Sequence, residues 1–220
     1  MKKMRFLLLL AAAWMGTLTM NAQDDNSIGF SIGYINKDWV SNFSGGAYHE
    51  NLWGEEGKKL HGIEMGFSYQ PTHAATGIGL WTGAYADLCF SESKAMDYDT
   101  FTETSLYIPA HISFRIPVGY DADIKLHGGI GINWVLAGEF KDYHRFWSYY
   151  NDYPDAYLHY GRDGFPHSFN FQAEAGIAVR INRIQINGGY SWGLSDHEFY
   201  PKDNVKTHQN KLFVTIGYVL

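Results

Sequence analysis

Phe169–Ile181 reads FNFQAEAGIAVRI, Ile184–Leu194 reads IQINGGYSWGL, and Lys211–Leu220 reads KLFVTIGYVL. In the first run Phe169, Phe171, Ala173, Ala175, Ile177, Val179 and Ile181 share one parity. Asn170, Gln172, Glu174, Gly176 and Arg180 share the other. Ile184, Ile186, Tyr190, Trp192 and Leu194 then alternate with Gln185, Asn187, Gly189, Ser191 and Gly193. A period of two places successive side chains on opposite faces of a strand, so each run has one apolar and one polar or glycine face. Soluble strands usually stop after five or six residues. A tilted strand that crosses a bilayer needs about 9–11, and these runs have that length.

The same alternation recurs upstream. Ile28, Phe30, Ile32 and Tyr34 mark a strand over about 26–36, and Ile63, Met65, Phe67 and Tyr69 one over 60–70. Leu80, Thr82, Ala84, Ala86 and Leu88 mark a third over 78–90. Leu106, Ile108, Ala110, Ile112 and Phe114 mark a fourth over 104–116. Ile124, Leu126, Ile130, Ile132, Trp134 and Leu136 mark a fifth over 124–140. Pro109 interrupts the fourth and cannot donate to a ladder, so a strand end or a bulge is expected there. With the three C-terminal runs there are eight strands.

The spacings between them alternate long and short: 37–59 long, 71–77 short, 91–103 long, 117–123 short, 141–167 long, then Asn182-Arg183, then a polar loop. Transmembrane barrels have even strand numbers, short periplasmic turns and longer outer loops. The expectation is an all-β fold, an eight-stranded antiparallel up-and-down transmembrane β-barrel in the cell outer membrane. The polar parity carries Gly29, Gly33, Gly62, Gly66, Gly79, Gly83, Gly129 and Gly131. Glycine on a solvated strand face destabilises without return, whereas in a lumen barely wide enough for side chains it makes room. That argues against the alternative of a soluble exported lipocalin-like ligand-binding barrel, whose apolar parity would point inward. Tyr34, Tyr69, Tyr190, Trp192 and Tyr218 near the strand ends suit an interfacial aromatic girdle.

The N-terminus reads MKKMRFLLLLAAAWMGTLTMNAQ, a basic start, an apolar core and small residues before a polar stretch. A cleaved signal peptide over residues 1–22 and a barrel domain over 23–220 are expected. Loss of Lys2, Lys3 and Arg5 takes the formal charge from −6 to −9, which disfavours a nucleic-acid partner. Cys89 is the only cysteine, so no internal disulfide forms.

GIGLWTGAYADLCF (77–90), LYIPAHISFRIPVGYD (106–121), IKLHGGIGINWVLAGEF (124–140) and AEAGIAVRINRIQINGGYSWGLSD (173–196) resemble successive strands of the PorT-like small outer-membrane β-barrel (porin-like) family of Gram-negative bacteria. KLFVTIGYVL is similar to the C-terminal strand signal read by the barrel-assembly machinery, with Tyr218 and Leu220 in its apolar positions. The resemblance implies fold, location and those two partners, outer-membrane lipid and the assembly machinery. It implies no activity.

Candidate chemistry sits in two places. Glu64, Asp87, His111, Arg115, Lys125, His127, Glu139, Glu174 and Arg180 lie on the polar parity and are expected to pair as a lumenal network, since an unpaired buried ion costs several kcal/mol. His111-Ile112-Ser113 has the His-x-Ser spacing of small outer-membrane lipid A deacylases, so a lipid-modifying acyl hydrolase is the alternative function. Both side chains fall on the lumen parity, however, away from lipid. No catalytic residues and no cofactor are expected. The ten histidines show no local metal-binding spacing, and Asp142, Asp152, Asp155 and Asp163 lack a calcium-loop pattern, so no metal is expected either. Tyr143, Phe146, Trp147, Tyr149, Tyr150, Tyr153, Tyr157 and Tyr160 crowd the 141–167 loop as a candidate outer binding surface for an extracellular or membrane-protein ligand. The expected function is therefore non-enzymatic, structural or surface-interacting.

Overall fold

The computed structural model describes residues 25–41, 59–73, 76–93, 99–142, 156–159, 169–195, 197–198 and 206–220. The expected signal segment, 1–22, lies outside them. Eight long antiparallel strands make the wall: β1 (Asp25–Ser41), β2 (Lys59–Thr72), β3 (Ile78–Ser93), β4 (Asp99–Pro117), β5 (Ala122–Asp142), β7 (Phe169–Ile181), β8 (Ile184–Gly193) and β10 (Lys206–Val219). Each pairs with the next, and β1 also pairs with β10 from Gly29↔Val219 to Ser41↔Thr207, which closes the barrel. Two short strands ride on this wall: β6 (Ala156–His159) pairs with the end of β5, and β9 (His197–Glu198) with the start of β10.

Closure satisfies every wall strand on both edges, the condition for strands to sit in hydrocarbon. The faces divide by parity. Ile112, Phe67 and Ile130 point outward at 67%, 62% and 61% exposure, while Lys37, Asp87 and Gln172 on the other parity are at 0%. The apolar parity is thus outside, the reverse of a lipocalin-like barrel. Of the girdle candidates, Tyr69 and Tyr218 face outward near the end with the short turns. Tyr34 and Trp192 face outward in the other half of the wall, where Tyr190 packs edge-on to Trp192 at 5.0 Å.

The turn Asn182-Arg183 joins β7 to β8, with Ile181↔Ile184 closing the hairpin. Asn182 takes φ 54°, the left-handed conformation that lets a two-residue turn match the twist of its strands. Its amide donates to Asp121 O at 2.6 Å, which ties this turn to the β4–β5 connection. Gly176 shows why the lumen parity is rich in glycine: a Cβ there would stand 2.5 Å from both Cε1 and Nε2 of His127.

Several expected boundaries move. Residues 37–41 were expected in a loop but continue β1, so Lys37 is a wall residue. β3 runs to Ser93 and β4 starts at Asp99, so 91–93 and 99–103 of the expected loop are strand, while 94–98 lie outside the described residues. β10 begins at Lys206 rather than at Lys211. These extensions lack apolar alternation, so residue order alone did not mark them as strand. Pro109 is neither at an end nor at the bulge. It sits mid-strand in β4, where the ladder to β3 is interrupted between Thr82↔Ala110 and Tyr85↔Tyr107. The Thr82 hydroxyl donates to Pro109 O at 2.9 Å, so the carbonyl left over there is satisfied. The bulge lies further up, where Thr104 faces Ala137 and Ser105 faces Val135, so Leu136 is the extra residue.

Candidate functional site: the charged lumen

The inward parity of eight strands converges on a narrow interior, and its side chains form three groups along the barrel. Toward the short turns, Asp123 is clamped by Arg115 Nε at 3.0 Å and by Arg180 Nη2 at 2.5 Å. Arg180 also donates to the Ser27 hydroxyl across the lumen at 3.3 Å. Lys125 donates to Gln70 Oε1 at 2.9 Å, and Gln70 in turn to the Ser68 hydroxyl.

In the middle, β4, β5 and β7 bring His111, His127 and Glu174 together. His127 Nδ1 lies 3.2 Å from His111 Nδ1, and His127 Nε2 lies 2.9 Å from Asn187 Oδ1. Glu174 Oε1 is 3.7 Å from His111 Nδ1, while its other oxygen accepts from the Ser191 hydroxyl at 2.5 Å. Trp81 stacks on the His127 ring at 4.4 Å.

Toward the other end, Lys37 Nζ reaches Glu103 Oε1 at 2.7 Å, Asp87 Oδ2 at 3.0 Å and the Ser105 hydroxyl at 2.6 Å. Lys211 Nζ reaches Glu64 Oε2 at 2.6 Å and Asp87 Oδ2 at 3.6 Å. It also lies 3.8 Å from the centre of the Tyr107 ring, a cation–π contact. Gln209 Nε2 donates to the second oxygen of Glu103 at 2.9 Å.

Among the described lumen side chains, five cations (Lys37, Arg115, Lys125, Arg180, Lys211) meet five anions (Glu64, Asp87, Glu103, Asp123, Glu174). That balance is what a low-dielectric interior demands of buried ions. Of the expected network, Glu64, Asp87, His111, Lys125, His127 and Glu174 are buried, and Arg115 and Arg180 line the lumen half-buried. Glu139 belongs to β5, but its side chain lies outside the described residues. Four lumenal ions were missed by sequence reasoning: Lys37, Glu103, Asp123 and Lys211. Each sits on the inward parity of its own strand, two residues from Ile35, Ser105, Lys125 and Phe213 respectively, so following that parity to the strand ends would have found them.

His111 and Ser113 share the lumen face at 2% exposure each. Ser113 Oγ makes no hydrogen bond among the described residues, so this pair lacks the nucleophile–base contact of an acyl hydrolase. At the short-turn rim, Arg183 donates to the Tyr218 hydroxyl at 2.9 Å, a bond that holds the guanidinium pKa above its usual value. Of the expected outer binding surface, Tyr157 lies in β6, opposite Lys141. Tyr143, Phe146, Trp147, Tyr149, Tyr150, Tyr153 and Tyr160 lie outside the described residues.

No family model and no curated protein matches the chain. Solved structures with a similar shape include Ail, the attachment invasion locus protein of Yersinia pestis, at 14% identity and TM-score 0.48, covering 89% of this chain and 99% of that one. Neisserial surface protein A is similar at 9% identity and TM-score 0.44 (87% and 96% covered). The outer membrane enzyme PagL is similar at 12% identity and TM-score 0.43 (87% and 98% covered). At these scores nothing about activity follows.

Proposed function

We propose that this chain is an outer-membrane β-barrel with a structural or surface-interaction role and no catalytic activity. The observation that carries the reading is the inverted polarity of the closed wall. Side chains such as Phe30, Phe67, Ile112, Ile130, Phe171 and Ile216 cover the outside, while ion pairs at 0% exposure fill the inside. In water so large an apolar belt is an aggregation liability, since monomeric soluble proteins rarely expose apolar patches above a few hundred Å². In a bilayer it is the favourable surface, and the charged interior holds the strands in register.

On this reading the resemblance to PorT-like barrels extends to location. The lipid of the outer membrane contacts the apolar belt, and the barrel-assembly machinery reads β10, whose Leu212, Val214, Ile216 and Tyr218 all face outward. The aromatic residues between β5 and β7 are the candidate contact for an extracellular or membrane-protein partner. Cell fractionation tests the core of the proposal. Recovery with outer membranes, together with gel migration that shifts only after boiling, is expected of a closed hydrogen-bonded barrel. Recovery in the detergent-free periplasmic fraction would overturn it.

A further inference from the structure

We propose that the middle of the lumen is a transition-metal site, which takes a divalent ion of the zinc class on His111, His127 and Glu174. The three residues come from β4, β5 and β7, far apart in sequence, and all are buried. One donor atom from each lies within 4.8 Å of the others. Two imidazoles and a carboxylate suit Zn²⁺ and its neighbours in the first transition row, while the oxygen-seeking Ca²⁺ and Mg²⁺ are poorly served.

The distances fit. Zn–N bonds of 2.0–2.1 Å at a tetrahedral angle place ligand atoms about 3.3 Å apart. Here Nδ1 of His111 and Nδ1 of His127 are 3.2 Å apart, and Glu174 Oε1 is 3.7 Å from the first. Without an ion, those two nitrogens share one proton. An ion replaces it, and the His111 proton moves to Nε2, which lies 3.5 Å from the Tyr107 hydroxyl.

The surroundings hold the donors in the required state. His127 Nε2 donates to Asn187 Oδ1, which leaves Nδ1 with its lone pair toward the site. Ser191 donates to one Glu174 oxygen, the Tyr107 hydroxyl also bonds this carboxylate, and Oε1 stands 3.7 Å from His111 Nδ1 on the side of the site. Such outer hydrogen bonds fix the tautomer and orientation of metal ligands. The one basic side chain within ion-pair distance of Glu174, among the described residues, is the His111 ring. A dication supplies the positive charge that this buried carboxylate calls for without requiring that ring to be protonated. Gly176 and Gly129 clear the space the two rings occupy, since a Cβ at Gly129 would stand 3.1 Å from His111 Cδ2. Bound there, an ion would staple three adjacent strands from inside.

The test uses the untagged full chain, folded in detergent micelles, stripped with chelator and then loaded with Zn²⁺ or Co²⁺. One Zn²⁺ per chain should survive desalting, and Co²⁺, with a water molecule as fourth ligand beside the three side chains, should give the visible bands of a four-coordinate nitrogen–oxygen site. The unfolding temperature should rise with metal concentration. His127→Ala should abolish retention, Asn187→Ala should weaken it about 10- to 100-fold, and His61→Ala on the outer wall should leave it unchanged. Heat-shifted gel migration verifies that each variant is folded. Should His127→Ala fail to fold, the Co²⁺ spectrum of the unaltered chain decides. A folded barrel that retains no metal, lacks that spectrum, or retains metal equally in His127→Ala overturns the site.

Discussion

Replacing Lys37 by Met removes one positive charge from the most enclosed group of ions in the barrel. Lys37 and its partners Asp87 and Glu103 have fully buried side chains, with N–O separations of 3.0 and 2.7 Å. After the change, Lys211 is the ammonium left beside Glu64 and Asp87 among the described residues. It already sits 2.6 Å from Glu64 and only 3.6 Å from Asp87. Methionine fills most of the lysine volume, so the loss is electrostatic rather than a cavity. Breaking a buried pair by removing one partner costs about 3–5 kcal/mol. At 1.4 kcal/mol per tenfold, that is roughly a hundred- to several-thousandfold in the folding equilibrium. Urea unfolding of the barrel in lipid vesicles, followed by tryptophan fluorescence, measures it, and buried Trp81 is an internal reporter. The double variant Lys37→Met/Glu103→Gln should recover part of the loss, because it removes an anion along with the cation. Coupling of about 0.5–3 kcal/mol is the usual range for contacting residues. A single variant within about 1 kcal/mol of the parent, in the range of an exposed pair, would refute the claim that charge balance holds this lumen together.

Ile112→Arg tests the outer face: a cation on the lipid side of a barrel costs about 2–4 kcal/mol near the midplane, whereas at a 67% exposed position in water it would cost nothing measurable. Reconstituted in planar bilayers, the protein should give no steady large-pore conductance, since its inward side chains pair across the lumen. Reproducible porin-sized openings would contradict a filled interior. Changing Trp147, Tyr149 and Tyr150 together to Ser should leave heat-shifted gel migration intact while reducing binding to cells or matrix, because aromatic anchors carry much of an interface's energy. Unchanged binding with a lower unfolding temperature would instead mean that those rings support the barrel.

The strands and their two faces were legible from residue order alone. Alternation over nine or more residues has one structural meaning, and glycine crowded onto the polar parity indicated which face turns inward. Legibility stopped where the apolar alternation stops. Lys37 and Glu103 were hidden because they lie past the apolar alternation, where both parities turn polar and the period of two fades into what resembles a loop. Pro109 misled for a different reason: a proline without a donor is tolerated mid-strand when a neighbour such as Thr82 satisfies the leftover carbonyl.

Sequence parity could say that His111, His127 and Glu174 all face inward, yet local spacing argued against a metal. Their meeting depends on strand tilt and stagger, which set His127 directly opposite Gly176 and His111 opposite Gly129. The same stagger brings Lys37 of β1 to Glu103 of β4, across strands that do not touch in the sheet. Alternation is a property of each strand by itself, so residue order can determine it. Which lumenal groups share a level is a property of the closed cylinder, and only the folded barrel decides it.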